Sequence, residues 1–399
     1  MKAISGSAIA LLRSLMIGKK RAFTGTGLMC FLLIVHSFQM LASVENLARL
    51  TTAPLLTTMT SPISNISKLV SVACHDPAVN FLEVVSPASS KSAKRHMAQP
   101  TKKRNRILCF VLTTEKQHAT KVSAIRDTWG RKCDKLVIAS NRNDPSIGAV
   151  AIDSNVGYWG IWDKLIKTLE YLLREYDNDD HSYDWIYKAD DDTYAIMENL
   201  REFLANETLH SEQLLLGSGK NASVARPVVY GRPMPWPILR ELKYLNGWFG
   251  KKKNRKFGWR FFEKFSENET LVYSHGGPGY VMNWEYVRQL VRAYNSPEPE
   301  SVHGRISEDL ANAVTMMYRD VYPTSTTDPL SGRERFHPEP PQVMFRNPSW
   351  LAEVQYNLQN IGSGEDCCSP RSIAFHHMSP SAMRLLDYQL YECPRTSAK

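Results

Sequence analysis

The chain has 399 residues, 43% hydrophobic and 22% charged, with 9 Trp and 17 Tyr. This is the composition of a globular protein, long enough for one large domain or two ordinary ones, and it excludes a fibrous or low-complexity chain. The net charge of +9 favours anionic partners such as nucleotides, phosphosugars or membrane headgroups. No helix-turn-helix, zinc-finger or RNP pattern is present, so nucleic acid is not an expected partner.

Lys2, Arg13, Lys19, Lys20 and Arg21 precede the first acidic residue. Gly27 to Val44, GLMCFLLIVHSFQMLASV, follows without a charge. That run approaches the short limit of a spanning helix, about 17–25 residues, and His36 and Gln39 weaken it. A cleaved signal peptide is the competing reading, with Leu41-Ala42-Ser43 as its cleavage site. The basic arm favours an uncleaved signal anchor. Residues 1–26 are then a cytosolic tail, 27–44 cross the membrane, and the rest is lumenal.

Two features agree with a lumenal body. Asn65, Asn206, Asn221 and Asn268 each open an N-glycosylation sequon. Outside Cys30 there are six cysteines: Cys74, Cys109, Cys133, Cys367, Cys368 and Cys393. An even number suits disulfides in an oxidising compartment. Neither a CxxC pair nor a Cys/His zinc spacing occurs.

Residues 45–104 read as a flexible stem. They are rich in Ser, Thr, Pro and Ala, end in a basic run, and carry too little apolar surface to fold alone. Order begins with a strand over Arg106 to Thr113, followed by a helix from His118 to Trp129 and a strand over Lys135 to Ser140. A helix over about 162–176 carries Leu165, Leu169, Leu172 and Leu173 on one face. A strand from Tyr183 to Ala189 leads into Asp190, Asp191 and Asp192. Alternating strands and helices predict an α/β domain over 105–394 with a mainly parallel sheet covered on both faces. Ligands of such sheets bind beyond the carboxyl ends of the strands, where the aspartates lie.

Three uses compete for this acidic run. It can start a helix that runs from Ile196, since acids favour a helix N-terminus. It can bind Ca²⁺, although EF-hand spacing is absent. It can hold a divalent metal that clamps a diphosphate. Side chains one residue apart on an extended segment point to the same side, so Asp190 and Asp192 can share one ion. The position at the end of a buried strand favours the metal.

Several stretches, taken in order, resemble a known family. They are Arg106 to Cys109 (RILC), Thr128 to Cys133 (TWGRKC), Tyr187 to Tyr194 (YKADDDTY), Ser274 to Val281 (SHGGPGYV), Ser307 to Leu310 (SEDL), Phe336 to Pro338 (FHP), and Cys367 to Ser369 followed by Phe375 and His376. Together they resemble the core 1 β1,3-galactosyltransferases of glycosyltransferase family 31, over about residues 105–390. The resemblance implies a single GT-A-like nucleotide-sugar transferase domain behind the anchor and stem, in the Golgi membrane. It implies inverting transfer of galactose from UDP-galactose to the 3-hydroxyl of GalNAc on Ser or Thr of glycoproteins, with Mn²⁺. A homodimer is left open.

The same resemblance implies roles for individual residues. Asp190, Asp192 and His376 take the metal positions; read alone, His376 is a packed core histidine. Leu112, Thr113, Lys164, Asp190 and Asp191 take donor positions; read alone, Lys164 is an ordinary helix lysine. Asp309 takes the position of the base that an in-line attack needs. Otherwise Glu308 and Asp309 are only the first turn of a helix running to Tyr318. Gly276, Gly277 and Gly279 either let backbone pass close to the sugar or form a plain turn before a helix at Trp284. Cys109 pairs with Cys133, while Cys367 and Cys368 stay unassigned, with Cys393 as one partner.

The chain also departs from the family. Val156-Gly157-Tyr158 stands where relatives carry Glu-Gly-Arg, which removes an arginine suited to a diphosphate. Relatives carry a cysteine on each side of the Glu-Asp acid, and residues 295–320 here have none. Residues 232–270 are longer than expected and hold Lys251 to Lys256, KKKNRK, which reads as a solvated loop or as a surface for an acidic acceptor. The aromatic segment before the cysteine pair is thinner, with Trp350 and Tyr356. Three functions therefore stand beside one another: a galactosyltransferase, a family 31 transferase with another donor or acceptor, and a weakly catalytic paralogue that assists partner transferases.

Overall fold

The computed structural model describes residues 105–152, 160–177, 183–206, 226–236, 252–266, 269–303, 306–346 and 364–393. The expected anchor and stem lie outside the described residues, as do Asn65, Asn221, Asn268, Cys74, Val156 to Tyr158, Trp350 and Tyr356. No helix among the described residues is long and apolar enough to cross a membrane.

Six strands form the central sheet: β1 (Ile107–Leu112), β2 (Lys135–Ser140), β3 (Ala149–Ala151), β4 (Trp185–Asp190), β6 (Val229–Gly231) and β9 (Tyr280–Met282), in the order β3-β2-β1-β4-β9-β6. The β3–β2, β2–β1 and β1–β4 pairings are parallel. β9 runs antiparallel to both β4 and β6, so the expected parallel sheet is mixed at one side. The glycine-rich loop at 276–279 leads from β8 (Leu271–Ser274) directly into β9.

Both faces of β1 are covered, which is why its sequence is an unbroken apolar run. Ile107, Cys109 and Val111 pack with Trp129, Tyr187, Leu200 and Phe203 on one face. Leu108, Phe110 and Leu112 pack with Leu165, Leu169, Val287 and Val314 on the other. The latter cover comes from α2 (Ile161–Tyr176), α5 (Trp284–Asn295) and α6 (Glu308–Met317). In α2 the buried Trp162, Leu165, Ile166, Leu169 and Leu172 follow the helical spacing of one face. α5 starts at Asn283, whose side chain accepts from Tyr286 N–H and caps the first turn.

Two sequence expectations need correction. The helix expected over His118–Trp129 runs only to Asp127 and opens irregularly: His118–Val122 is a wider π-type turn continuous with α1 (Ser123–Asp127), and a separate 3₁₀ turn covers Trp129–Lys132. The basic run expected as a loop instead opens α4 (Lys252–Lys264), which buries Phe257 and Phe261.

A small second sheet carries the link that matters for function. β10 (Phe336–His337) pairs with β11 (Ala374–Phe375), and β11 pairs antiparallel with β5 (Tyr194–Ala195). This brings the residues after β11 against the residues after β4. A two-stranded ribbon of β7 (Pro233–Trp236) and β8 (Leu271–Ser274) delivers the chain to the glycine-rich loop. Helices α3 (Met197–Ala205), α7 (Pro341–Phe345) and α8 (Pro380–Tyr391) complete the described residues.

A disulfide joins Cys109 in β1 to Cys133, with Cα atoms 6.0 Å apart. Cys367 and Cys368 bond to each other. Cys393 is also in a disulfide, so it is not the partner of either.

Candidate active site

Strand β4 ends at Asp190, and Asp191 and Asp192 lie in the turn that follows. They are therefore not on one extended segment, and the alternation expected to aim Asp190 and Asp192 together does not apply. They converge because β5 and β11 bring His376 to them. His376 Nε2 lies 3.0 Å from Asp192 Oδ1 and 3.9 Å from Asp190 Oδ2. The main chain holds this arrangement: His376 N–H donates to His337 O at 3.0 Å, and Met378 N–H donates to Asp192 O at 2.8 Å. The aspartates do not start a helix, since β5 intervenes and the first-turn acid of α3 is Glu198.

Asp191 turns toward β1. It accepts from Thr113 Oγ1 at 2.8 Å and from Lys121 Nζ at 2.7 Å. Lys121 also reaches Asp192 at 3.2 Å. The register sets Leu112 beside Asp190, and the buried Lys164 of α2 donates to Thr113 O. All five residues expected on the donor side thus meet at the strand ends.

The second half of the site is the start of α6. Glu308 and Asp309 lie in its first turn, where the helix dipole favours a carboxylate. Asp309 Oδ2 accepts from Gly276 N–H at 3.2 Å and Oδ1 from Leu310 N–H at 2.9 Å. Glu308 is buried, accepts from the Tyr280 hydroxyl, and lies 3.1 Å from Lys188 Nζ. Lys188, fully buried in β4, also donates to Asp190 at 2.8 Å and to Gly276 O at 2.9 Å.

The glycines separate these halves. A Cβ on Gly277 would come within 2.3 Å of His376 Nδ1, and one on Gly276 within 2.9 Å of Glu308 Oε2. Gly279 has φ +85°, and a Cβ there would meet Lys188 O at 2.1 Å. The loop must therefore lack side chains because His376, the acid pair and β4 all press on it. A turn and a close backbone approach are both present, although the approach seen is to protein groups.

Burial and charge act against each other throughout the site. Burial pushes the Asp191 carboxyl up against the pull of Lys121 and Thr113. Burial would also raise Asp192, but the His376 hydrogen bond and charge, aided by Lys121, hold it well below the usual carboxylate range. Burial would lower Lys188, and the Asp190 and Glu308 charges overcome that and raise it. Burial drops Lys164 to about 8, with Asp191 opposing. Burial raises Glu308 and Asp309, opposed chiefly by Lys188 and by the Gly276 N–H respectively. Burial also pushes Glu339 up to about 7, against the His376 charge.

The donor set fits a divalent cation. With bonds of about 2.1 Å to one ion, ligand atoms at right angles lie about 3 Å apart and opposite ones about 4.2 Å, and the His376–carboxylate separations of 3.0 and 3.9 Å fall within that range. Two carboxylates and one imidazole suit Mn²⁺. Sequence reasoning missed Lys121, Lys188 and Glu339. Lys188 left a signal, a lone charge inside an apolar strand. Lys121 left none, because its reach depends on the π-type turn.

A carboxylate cluster at the strand ends of a doubly covered α/β sheet, facing a second acid pair across a glycine loop, stands where proteins of the α/β class bind their ligands. Residues 102–313, more than half of the chain, match the Fringe-like family, and the chain belongs to it: the protein is a glycosyltransferase of family 31. It is similar to a glycoprotein-N-acetylgalactosamine 3-beta-galactosyltransferase 1 of Xenopus laevis, with 26% identity over 299 residues, 74% of this chain and 69% of the relative.

Proposed function

We propose that the protein transfers galactose from UDP-galactose to the 3-hydroxyl of GalNAc on Ser or Thr of glycoproteins, with inversion. The observation that carries this reading is the convergence of His376 on Asp192 and Asp190, with Asp309 across the same glycine loop. The similarity to the Xenopus enzyme, whose name gives a galactosyltransferase acting on glycoprotein N-acetylgalactosamine, supports this donor and acceptor class.

In this reading Asp309 is the base. Its carboxylate takes the proton from the acceptor hydroxyl as that oxygen bonds to the sugar C1. The bond from C1 to the diphosphate oxygen breaks on the opposite side, and UDP leaves with the electron pair. Burial raises the Asp309 carboxyl, which makes it a better proton acceptor near neutral pH than a solvated aspartate. Asp190, Asp192 and His376 would hold Mn²⁺, which when bound would supply charge neutralisation for the departing diphosphate. Lys164 and Thr113, with the Leu112 backbone, frame the donor side, and Asp191 keeps Lys121 and Thr113 in place.

The chain sits in the Golgi membrane as a type II protein. The basic arm, the uncharged run at 27–44 and the four sequons support this placement. Asn206, at the exposed end of α3, is accessible to a glycan. Glycosidase treatment of expressed protein shifts its mobility if the body is lumenal.

A screen of UDP-sugars with purified protein and a GalNAc-peptide tests the activity. Metal-dependent transfer from UDP-galactose supports the proposal, and transfer from another UDP-sugar alone changes the donor. Consumption of no donor by protein that still binds UDP and Mn²⁺ overturns it in favour of the weakly catalytic paralogue.

A further inference from the structure

His377 has no role in the site outlined above. We propose that His377 is a second imidazole ligand of the same ion, so that Asp192, His376 and His377 form a set selective for a borderline divalent ion such as Co²⁺ or Zn²⁺ over Mg²⁺. The inference rests on the metal reading of this site and adds to it a residue and a preference.

The first observation is proximity. One ligating atom from each of Asp192, His376 and His377 lies within 4.8 Å of the other two. Ligands opposite one another about an ion with bonds of about 2.1 Å lie about 4.2 Å apart. The His377 ring is exposed, so a small rotation closes the difference.

The second observation is the backbone. His377 has φ +56°, a left-handed backbone conformation that a residue with a Cβ rarely adopts unless the surroundings enforce it. Here the neighbours on both sides enforce it. His376 N–H is tied to His337 O and Met378 N–H to Asp192 O. The outcome is two imidazoles side by side, with centroids 3.8 Å apart and planes 34° apart. A strained turn that presents a second nitrogen next to the first, over the same carboxylate, is the geometry of a ligand pair.

The third is the chemistry of the donors. Carboxylate and water ligands suit Mg²⁺ and Mn²⁺, whereas each added imidazole shifts preference toward Co²⁺ and Zn²⁺. With one imidazole the site is mainly hard; with two it is not.

The test is Co²⁺ and Mg²⁺ titration of the full-length, tag-free protein in detergent, followed by calorimetry and by the visible spectrum of bound Co²⁺. His377→Gly removes the ring at a φ that glycine adopts freely, and His377→Asn is a second variant that tolerates the same φ. Thermal melts without metal confirm that either variant folds. The expected result is a loss of about tenfold or more in Co²⁺ affinity with a changed spectrum, the scale seen when metal-site residues are removed, and a Mg²⁺ affinity that stays nearly constant. A variant that folds and binds Co²⁺ with the wild-type affinity and spectrum overturns the inference. Asp192→Asn separates this outcome from failure of the metal reading itself. If Asp192→Asn loses the ion and His377→Gly does not, only the role of His377 falls. If Asp192→Asn also binds as wild type, the site is not a metal site and both fall.

Discussion

The Lys188 ammonium lies 3.1 Å from the Glu308 carboxylate, and both groups are buried between β4 and α6. The same ammonium is 2.8 Å from Asp190. One buried cation thus ties the strand that ends in the aspartates to the helix that carries Asp309. Breaking a buried pair from one side leaves an uncompensated charge, which costs roughly 3–5 kcal/mol.

Lys188→Met should therefore lower the unfolding free energy by about that amount, read from the urea midpoint at neutral pH. The loss should shrink as pH falls, because an unpaired Glu308 escapes the penalty by taking up a proton. A variant as stable as wild type at neutral pH would remove the strut role of Lys188.

Asp309→Asn and Asp192→Asn should fail differently. Asp309→Asn keeps the shape and removes the base, so transfer falls by roughly 10²–10⁴-fold while UDP and Mn²⁺ still bind. Asp192→Asn removes a charged ligand, so donor binding weakens together with turnover. Calorimetric titration of UDP with Mn²⁺, beside a transfer assay, separates the two. Normal transfer by Asp309→Asn would place the base elsewhere.

Gly277→Ala adds a Cβ that would lie 2.3 Å from the His376 ring. The backbone is held by its neighbours, so the imidazole is the group that must move. We expect Mn²⁺ affinity to drop by about tenfold or more with the secondary structure retained, checked by Mn²⁺ titration and circular dichroism.

Lys164 gives a pH signature. Burial lowers it from 10.5 to about 8, so between those values the folded chain binds fewer protons than the unfolded chain. Stability from this group is therefore least below about pH 8, where the buried amine is charged, and rises as pH climbs toward 10.5. Donor binding should move the other way, since the neutral amine no longer attracts a diphosphate. KM for the donor should rise above about pH 8, and proton uptake should accompany donor binding there, visible in calorimetry across two buffers. Lys164→Met should show a raised KM without this added pH dependence. An unchanged KM in that variant would remove Lys164 from the donor site.

Much of the frame was legible because its signals are local. β2 spans Lys135–Ser140 as read, and α2 starts at Ile161, one residue from the expected position. Both carry a period set by their own residues and by burial on known faces. The reversal of β9 was not legible, since a strand of three residues between a glycine loop and a helix carries no sign of its direction. The π-type opening of the helix at 118–127 was also invisible, because its apolar spacing is unchanged by a wider first turn.

At the site, sequence alone determined which residue types were available: the aspartates after a buried strand, the acids opening a helix, the glycines between them and a histidine far along the chain. Only the tertiary structure decided which of these meet. Asp190 and Asp192 converge through the docking of β11 on β5, and not through strand alternation. Lys188 joins both acid groups because β4 passes beneath the loop at Gly276. Side-chain type is written residue by residue, whereas these distances depend on pairings between segments remote in the chain, which fold together only when the whole core closes.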